Sequence, residues 1–284
     1  MSFAKLYADH QFHYSFEVFP PKEEKGVVSL IKELEELAPI KPAFISVTYG
    51  AMGSTRELTK DLALRIQNET NIPVAFHFTC VGSGKQQIHD YVEKLKSLGI
   101  NMVVALRGDP PPGGVFKKPE DGFQYANELV GYLKSLGGFS MAVAGYPEKH
   151  IEAVNAQVDL ENLKRKVDAG ADIILTQLFF DNRDYFDFVD RARKVGITIP
   201  IIPGIMPIMN VKQVEKVASM CGAKIPDLLH QKLLANQEDP IAQREIGVAQ
   251  AILQCQELKE SGVPGIHFYM MNKAYSVKKV IDAL

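Results

Sequence analysis

A glutamate set in an apolar stretch, Phe16-Glu17-Val18-Phe19, opens a series of polar residues that end or follow short strand-like runs. Thr48 closes the second run, His77 lies in the third, Arg107 and Asp109 follow the fourth, Tyr146 follows the fifth and Gln177 closes the sixth. A carboxyl, an imidazole, a guanidinium beside a carboxylate, a phenol and an amide are the groups of acid–base chemistry and polar ligand binding. Each also has a plain structural role open to it. Glu17 could pair with a lysine inside the fold, because a buried charge without a partner is costly. His77 alone could be a satisfied core histidine, Arg107-Gly108-Asp109 a local ion pair in a turn, and Gln177 the partner of a strand-end amide. Their joint placement at the ends of successive strands favours a ligand site.

The elements that must position them alternate. Short β-branched and aromatic runs are each followed by a polar or glycine-containing turn and then by helical periodicity. Strands are expected near Tyr14 to Phe19, Ala43 to Thr48, Val74 to Thr79, Met102 to Leu106, Ser140 to Ala144, Ile173 to Gln177, Ile199 to Ile202 and Gly265 to Tyr269. Helices are expected over Glu57 to Gln67, Lys85 to Leu98, Asp121 to Leu136, Leu160 to Ala169 and Tyr185 to Lys194. Gly99, Gly170 and Gly196 stand where left-handed helix caps are wanted. This is an α/β pattern with the strand number of a (β/α)8 TIM barrel, whose active sites form at the C-terminal strand ends. Between the seventh and eighth strands, helical patterning across Val211 to Met220, Pro226 to Leu234 and Ile241 to Glu260 predicts extra helices at the barrel end. Pro110-Pro111-Pro112-Gly113-Gly114 reads as a stiff loop, and no linker divides the chain, so residues 1–284 are expected to form one domain.

A chain of 284 residues, 46% hydrophobic, supports a large core. Its net charge of −2 gives no general attraction for nucleic acid or an anionic membrane. The three cysteines, Cys80, Cys221 and Cys255, make no disulfide framework or metal motif, and a reducing cytoplasm fits them best. No leader or membrane-spanning run is visible. Gly82-Ser83-Gly84-Lys85 looks like part of a phosphate loop, but Thr79 stands where its first glycine is required. A G-x-G-x-x-G turn, a nucleophile elbow and metal-ligand spacings are missing too, so Rossmann, hydrolase and metalloenzyme chemistry have little support.

Several segments together resemble the methylenetetrahydrofolate reductases. They are Phe16-Glu17-Val18-Phe19-Pro20-Pro21, Ser46-Val47-Thr48-Tyr49-Gly50-Ala51, Leu106-Arg107-Gly108-Asp109 and Thr176-Gln177-Leu178-Phe179-Phe180-Asp181. Ala144 to His150, Leu163 to Gly170, Pro203-Gly204-Ile205-Met206-Pro207 and His267-Phe268-Tyr269 extend the likeness almost end to end. The resemblance implies a barrel with non-covalent FAD, reducing 5,10-methylenetetrahydrofolate to 5-methyltetrahydrofolate with NADH or NADPH as donor. The chain looks like the bacterial catalytic form without a regulatory domain. Its partners would be small molecules, not nucleic acid or membrane, in a homo-oligomer.

By the same resemblance His77, Arg107, Gly108 and Asp109 would meet the flavin, with Thr48, Tyr49 and Ala51 beside it. Ala126, Tyr146, His150, Asp159, Asn162 and Lys166 would line the path toward ribose, pyrophosphate and adenine. Glu17, Thr48, Asp109, Gln177, Gln213 and Lys273 would meet the substrates. Two hydrides passing one flavin face imply a ping-pong cycle. The folate ring must open to an iminium cation, with Glu17 the acid, kept protonated near neutral pH by its apolar strand. Asp109 would stabilise the positive charge, and Gln177 would offer a donor and an acceptor to the pterin or the nicotinamide carboxamide. Val217 stands where some relatives carry an aromatic residue, and Lys273 replaces a common arginine, keeping charge but losing the two-point fork. The alternatives are a proline dehydrogenase-like flavin barrel, which folate dependence would exclude, and a flavin-binding subunit that takes electrons from a protein partner.

Overall fold

His13–Val18 (β1), Phe44–Val47 (β2), Val74–Thr79 (β3), Met102–Leu106 (β4), Ser140–Gly145 (β5), Ile173–Leu178 (β6), Ile201–Ile205 (β7) and Gly265–Tyr269 (β8) pair in parallel, each with the next. β8 returns to β1, with His13 opposite Gly265 and Glu17 opposite Tyr269, and the sheet closes into a barrel. The computed structural model describes residues 1–48, 56–109, 116 and 118–284. Among these the strands number eight, the (β/α)8 architecture expected from the alternation. Tyr49, Ala51 and the Pro110 to Gly114 loop lie outside the described residues.

The sides of the sheet face two different cores. Outward residues such as Phe16, Ile45, Phe76, Val103, Val143, Ile174 and Phe268 pack under the ring of helices. Inward residues Phe44, Ala75, Met102, Val104, Ala142, Ile173, Leu175 and Ile202 fill the barrel. A short N-terminal helix, Phe3–Leu6 (α1), closes the bottom: Phe3 is fully buried edge-on against Phe44, and its amide donates to Ser140 Oγ at 2.9 Å. The barrel is therefore plugged at the N-terminal end of its strands.

The outer helices are Glu24–Leu37 (α2), Arg56–Thr70 (α3), Lys85–Ser97 (α4), Ala126–Leu136 (α5), Ala156–Asp168 (α6), Asn182–Lys194 (α7), Val211–Cys221 (α8), Asp227–Ala235 (α9), Pro240–Glu260 (α10) and Ala274–Asp282 (α11). α1, α2 and α11 were not among the expected helices, although Leu30, Ile31, Leu34 and Leu37 of α2 form an apolar stripe at helical spacing. α5 begins at Ala126, not at Asp121, because Gly122 instead makes an isolated bridge to Gly84 and Tyr125 takes the N-cap. β7 extends beyond the expected Ile202 to Ile205; Pro203 has no amide to give the ladder, the register with β6 shifts, and Gly204 N donates to Thr176 Oγ1 at 2.9 Å. Gly99, Gly170 and Gly196 have φ of 76°, 118° and 80°, as caps require.

The long interval after β7 divides in two. α8 and α9 form their own apolar cluster around Val211, Val214, Ala218, Leu229 and Leu233, over Leu178, Phe180 and Met206 at the opposite end. α10 is not an end cap as expected but joins the outer ring, between α7 and α11. Cys80, Cys221 and Cys255 are free thiols. Among the described residues no helix is long and apolar enough to cross a membrane.

Candidate active site

Alternation along a strand sends every second side chain inward. On β1 that places Ser15 and Glu17 in the barrel, and on β2 Ser46, with Thr48 just beyond it. The Thr48 amide donates to Val18 O at 2.9 Å, and its carbonyl accepts from Thr59 at 3.1 Å. His77 of β3 and His267 of β8 converge on Glu17, their Nε2 atoms 3.3 and 3.6 Å from its Oε2, and Ser46 Oγ donates to the same oxygen at 3.5 Å. The carboxyl is only 9% exposed. Among the described residues no lysine or arginine pairs with it, so the intrabarrel lysine allowed by the sequence is not its partner.

The protonation expected for Glu17 is overturned by these neighbours. Burial does push its carboxyl up, but the opposing attraction of His77, with His267 adding to it, brings it down to about 2. An apolar strand surrounds the backbone; two imidazoles surround the side chain. In the ligand-free barrel these neighbours favour the carboxylate form of Glu17.

From this cluster a line of polar groups crosses the mouth. At the end of β4, Gly108 adopts φ of 85°, and a Cβ there would lie 2.5 Å from Val81 and 2.9 Å from Thr79. Only glycine lets Arg107 and Asp109 turn so closely over the neighbouring strand. Arg107 reaches Asp109 at 3.9 Å and holds Glu152 by two hydrogen bonds of 2.6 and 2.8 Å; Asp109 itself is 89% exposed. Glu152 was not picked out in the sequence, and lies 45 residues from Arg107. Tyr146 packs edge-on against His150 with ring centroids 4.6 Å apart, and the His150 amide donates to Asp159 at 2.9 Å. Burial pushes the His150 imidazole down, and Asp159 opposes it. Lys166 donates to the carbonyl of Ala144 at 2.6 Å, and burial, opposed by Asp159, draws its ammonium down to about 8.

The other expected residues join less closely. Gln177 is half-buried at the end of β6, with its side-chain oxygen accepting from the Leu178 amide at 2.9 Å. Ala126 begins α5. Gln213 is partly buried in the first turn of α8, and Val217 packs on the α8–α9 cluster. Asn162 is exposed and bonded to Arg165, and Lys273, 60% exposed, pairs with Glu33 of α2 at 3.0 Å. His267, Ser46 and Tyr269 were not singled out as site residues. Their signal was the alternation of polar residues at inward positions. Tyr269 stacks edge-on to His267 and donates to Thr176 O at 2.6 Å.

The fold is that of a (β/α)8-barrel protein, with a candidate ligand site at the C-terminal strand ends. Residues 2–284 match methylenetetrahydrofolate reductase, and the chain belongs to that family. It is 40% identical over 264 residues to the 5,10-methylenetetrahydrofolate reductase of Escherichia coli K12, covering 93% of this chain and 88% of that one. It is also 40% identical over 274 residues to methylenetetrahydrofolate reductase (NADH) 1 of Arabidopsis thaliana, and there the chain spans about half of the relative, 46%. Among solved structures, a Clostridium thermocellum protein that binds two copies of 5-methyl-5,6,7,8-tetrahydrofolic acid superposes with a TM-score of 0.70 over 98% of this chain and 96% of its own. At 14% identity that likeness shows the shared fold.

Proposed function

We propose that the chain is a single catalytic domain that reduces 5,10-methylenetetrahydrofolate to 5-methyltetrahydrofolate, with FAD held across the strand ends and a reduced nicotinamide as electron donor. The observation that carries this reading is the set of polar pairs at the strand ends, Glu17 with His77, Arg107 with Asp109, Tyr146 with His150, His150 with Asp159, and Asp159 acting on Lys166. FAD, when bound, supplies a carrier that accepts a hydride from the nicotinamide and returns one to the folate-bound carbon.

The residues present fit such a group. Nε2 of His77, 3.3 Å from Glu17 Oε2, and Oγ1 of Thr79 are buried without a hydrogen bond on β3, and Thr79 lies beneath Gly108. Unsatisfied buried groups of this kind are costly unless a ligand completes them. The half-buried Arg107 fork suits a planar polar ring or a phosphate, and the desolvated Lys166 gains most from an anion placed beside it.

For the folate, Glu17 would hold a proton at its carboxyl and deliver it to the ring nitrogen whose bond to the methylene carbon breaks. That proton must first come from a neighbouring imidazole. Asp109, exposed at the rim, would stabilise the cation that develops, and Gln177, by turning its amide from the Leu178 backbone, would orient the pterin or the nicotinamide. The plant relative named for NADH, 40% identical to this chain, supports NADH over NADPH. The free thiols support a reducing cytoplasm, and exposed Leu228, Ile241 and Leu253 support the expected self-association.

An anaerobic flavin spectrum tests the reading. The FAD-loaded protein should bleach on adding NADH and regain its colour on adding methylenetetrahydrofolate. Protein that takes up no FAD, or bleached protein that ignores the folate, would overturn it; failure to bleach with NADH and NADPH alike would favour a protein electron donor.

A further inference from the structure

His267 is fully buried at the centre of the barrel, yet both its ring nitrogens face polar groups. Nδ1 lies 2.8 Å from Ser15 Oγ, and Nε2 lies 3.3 Å from Ser46 Oγ and 3.6 Å from Glu17 Oε2. The ring stacks on Phe44 with centroids 5.7 Å apart, and Tyr269 meets it edge-on at 5.5 Å. Packing from both sides thus holds the imidazole in one plane. Because Ser46 donates to Glu17, its oxygen is left to accept from His267 Nε2, so the donors run in file from His267 through Ser46 to the carboxylate.

We propose that His267 is a positioning residue for the folate step: it stores the proton that Glu17 delivers, and passes it through the Ser46 hydroxyl. The proposal rests on Glu17 being the acid. With imidazolium at His267, the Nε2 proton moves to Ser46 Oγ while the Ser46 hydroxyl proton moves to Glu17 Oε2. His267 is left neutral, with its remaining proton on Nδ1 facing Ser15, and Glu17 is left as the carboxylic acid. Glu17 then gives its proton to the folate ring nitrogen as the carbon–nitrogen bond opens. One proton enters the substrate and one leaves His267, with no change of oxidation state.

Burial explains why a store is needed. A folate placed against Glu17 would cover it, whereas His267 has no surface of its own. Recharging must therefore come through Glu17 when the site is open. The titratable groups facing His267 are Glu17 of β1, His77 of β3, Tyr269 of its own strand and Tyr7 beneath Ser15. β7 contributes Gly204 opposite it, and β2 contributes Ser46 and Phe44. His77 is the weaker candidate for the store because its Nε2 lies out of line for a hydrogen bond.

The test is the pH profile of the folate half-reaction, followed by rapid mixing of prereduced FAD-loaded enzyme with methylenetetrahydrofolate. His267→Gln should move the alkaline limb to lower pH by about one unit or more, the shift expected when a charged neighbour within a few ångströms is removed. Near pH 7.5 the rate should drop about 10-fold or more, while the acidic limb stays within a few-fold of wild type and NADH still reduces the flavin normally. Ser46→Ala, a smaller change that keeps the imidazole, should shift the limb the same way by less. If His267→Gln does not fold, Ser46→Ala and the histidine ring titration of the FAD-loaded wild type and Glu17→Gln enzymes decide: His267 should lose its proton at lower pH once Glu17 is neutral. An unmoved limb, or a His267 titration indifferent to Glu17, overturns the proposal. Glu17→Gln separates the failures, since a wild-type folate rate there sinks the acid role itself, whereas a slow Glu17→Gln beside an unmoved His267→Gln profile sinks only the store.

Discussion

Arg107 and Glu152 are joined fork to carboxylate, Nη1 to Oε2 at 2.6 Å and Nη2 to Oε1 at 2.8 Å, which ties the end of β4 to the segment between β5 and α6. Glu152 holds the Arg107 guanidinium above its ordinary range. With the side chains 20% and 52% exposed, solvent screens the pair and its contribution to stability is small. Its effect is to aim the guanidinium, which also lies 5.4 Å from the Phe116 ring. Arg107→Lys keeps the charge and loses the fork, so FAD should bind about 10-fold more weakly with the melting temperature nearly unchanged. Glu152→Gln, which loosens the fork but keeps Arg107, should weaken FAD by less than Arg107→Lys does. Flavin fluorescence titration reads both, and unchanged FAD affinity in Arg107→Lys would remove Arg107 from the flavin site.

Glu17→Gln should separate the two half-reactions. Hydride transfer from NADH needs no proton on a substrate nitrogen, whereas opening the folate ring does. The variant should slow folate reduction by about 10² to 10⁴, with flavin reduction by NADH within a few-fold of wild type. Stopped-flow absorbance of each step checks this. Equal damage to both, with lost flavin, would mean that Glu17 only balances the histidine cluster.

Lys166 carries opposite consequences for stability and binding. Its ammonium falls from 10.5 to about 8 on folding, so between those values the unfolded chain binds more protons and stability rises with pH; at pH 7 the buried charge works against the fold. Lys166→Met should raise the melting temperature of FAD-free protein at pH 7 by about 2 °C or more and weaken FAD. In the unsubstituted protein FAD should bind more weakly as pH climbs past about 8. Calorimetry with and without FAD across pH 6.5 to 9.5 reads both effects, and a lower melting temperature for Lys166→Met without FAD would contradict the first.

Gly247 sits inside α10, where alanine is ordinarily worth about 1 kcal/mol of helix stability. A methyl group there would fall on the carbonyl oxygen of Ile208, which backbone cannot easily yield. Gly247→Ala should therefore destabilise the protein by about 1–3 kcal/mol in urea unfolding. A gain in stability would show that α10 can slide away from the β7 end.

The alternation of strand-like and helical segments was legible because side-chain period follows local backbone geometry, two for a strand and 3.6 for a helix. Val74–Thr79, Met102–Leu106 and Gly265–Tyr269 fall where the pattern placed them, and the cap glycines do too. Ends were less legible where one residue changes the ladder, as Pro203 does in β7. The polar strand ends also stood out singly, since a glutamate between phenylalanine and valine is conspicuous without any fold.

The state of those residues could not be read that way. Glu17 in an apolar strand reads as a protonated acid, and only barrel closure brings His267, 250 positions along the chain, against it beside His77, so that two imidazoles oppose the effect of burial. Likewise Lys273 stands alone in the sequence, whereas the fold gives it Glu33 of α2 as a partner. By itself the sequence determined the types of most elements and the strand number, which follow from local periodicity, and it displayed several of the polar groups at the strand ends. The tertiary structure decided which groups touch and therefore which are charged, because electrostatic pairing and desolvation depend on distances that closing β8 onto β1 creates.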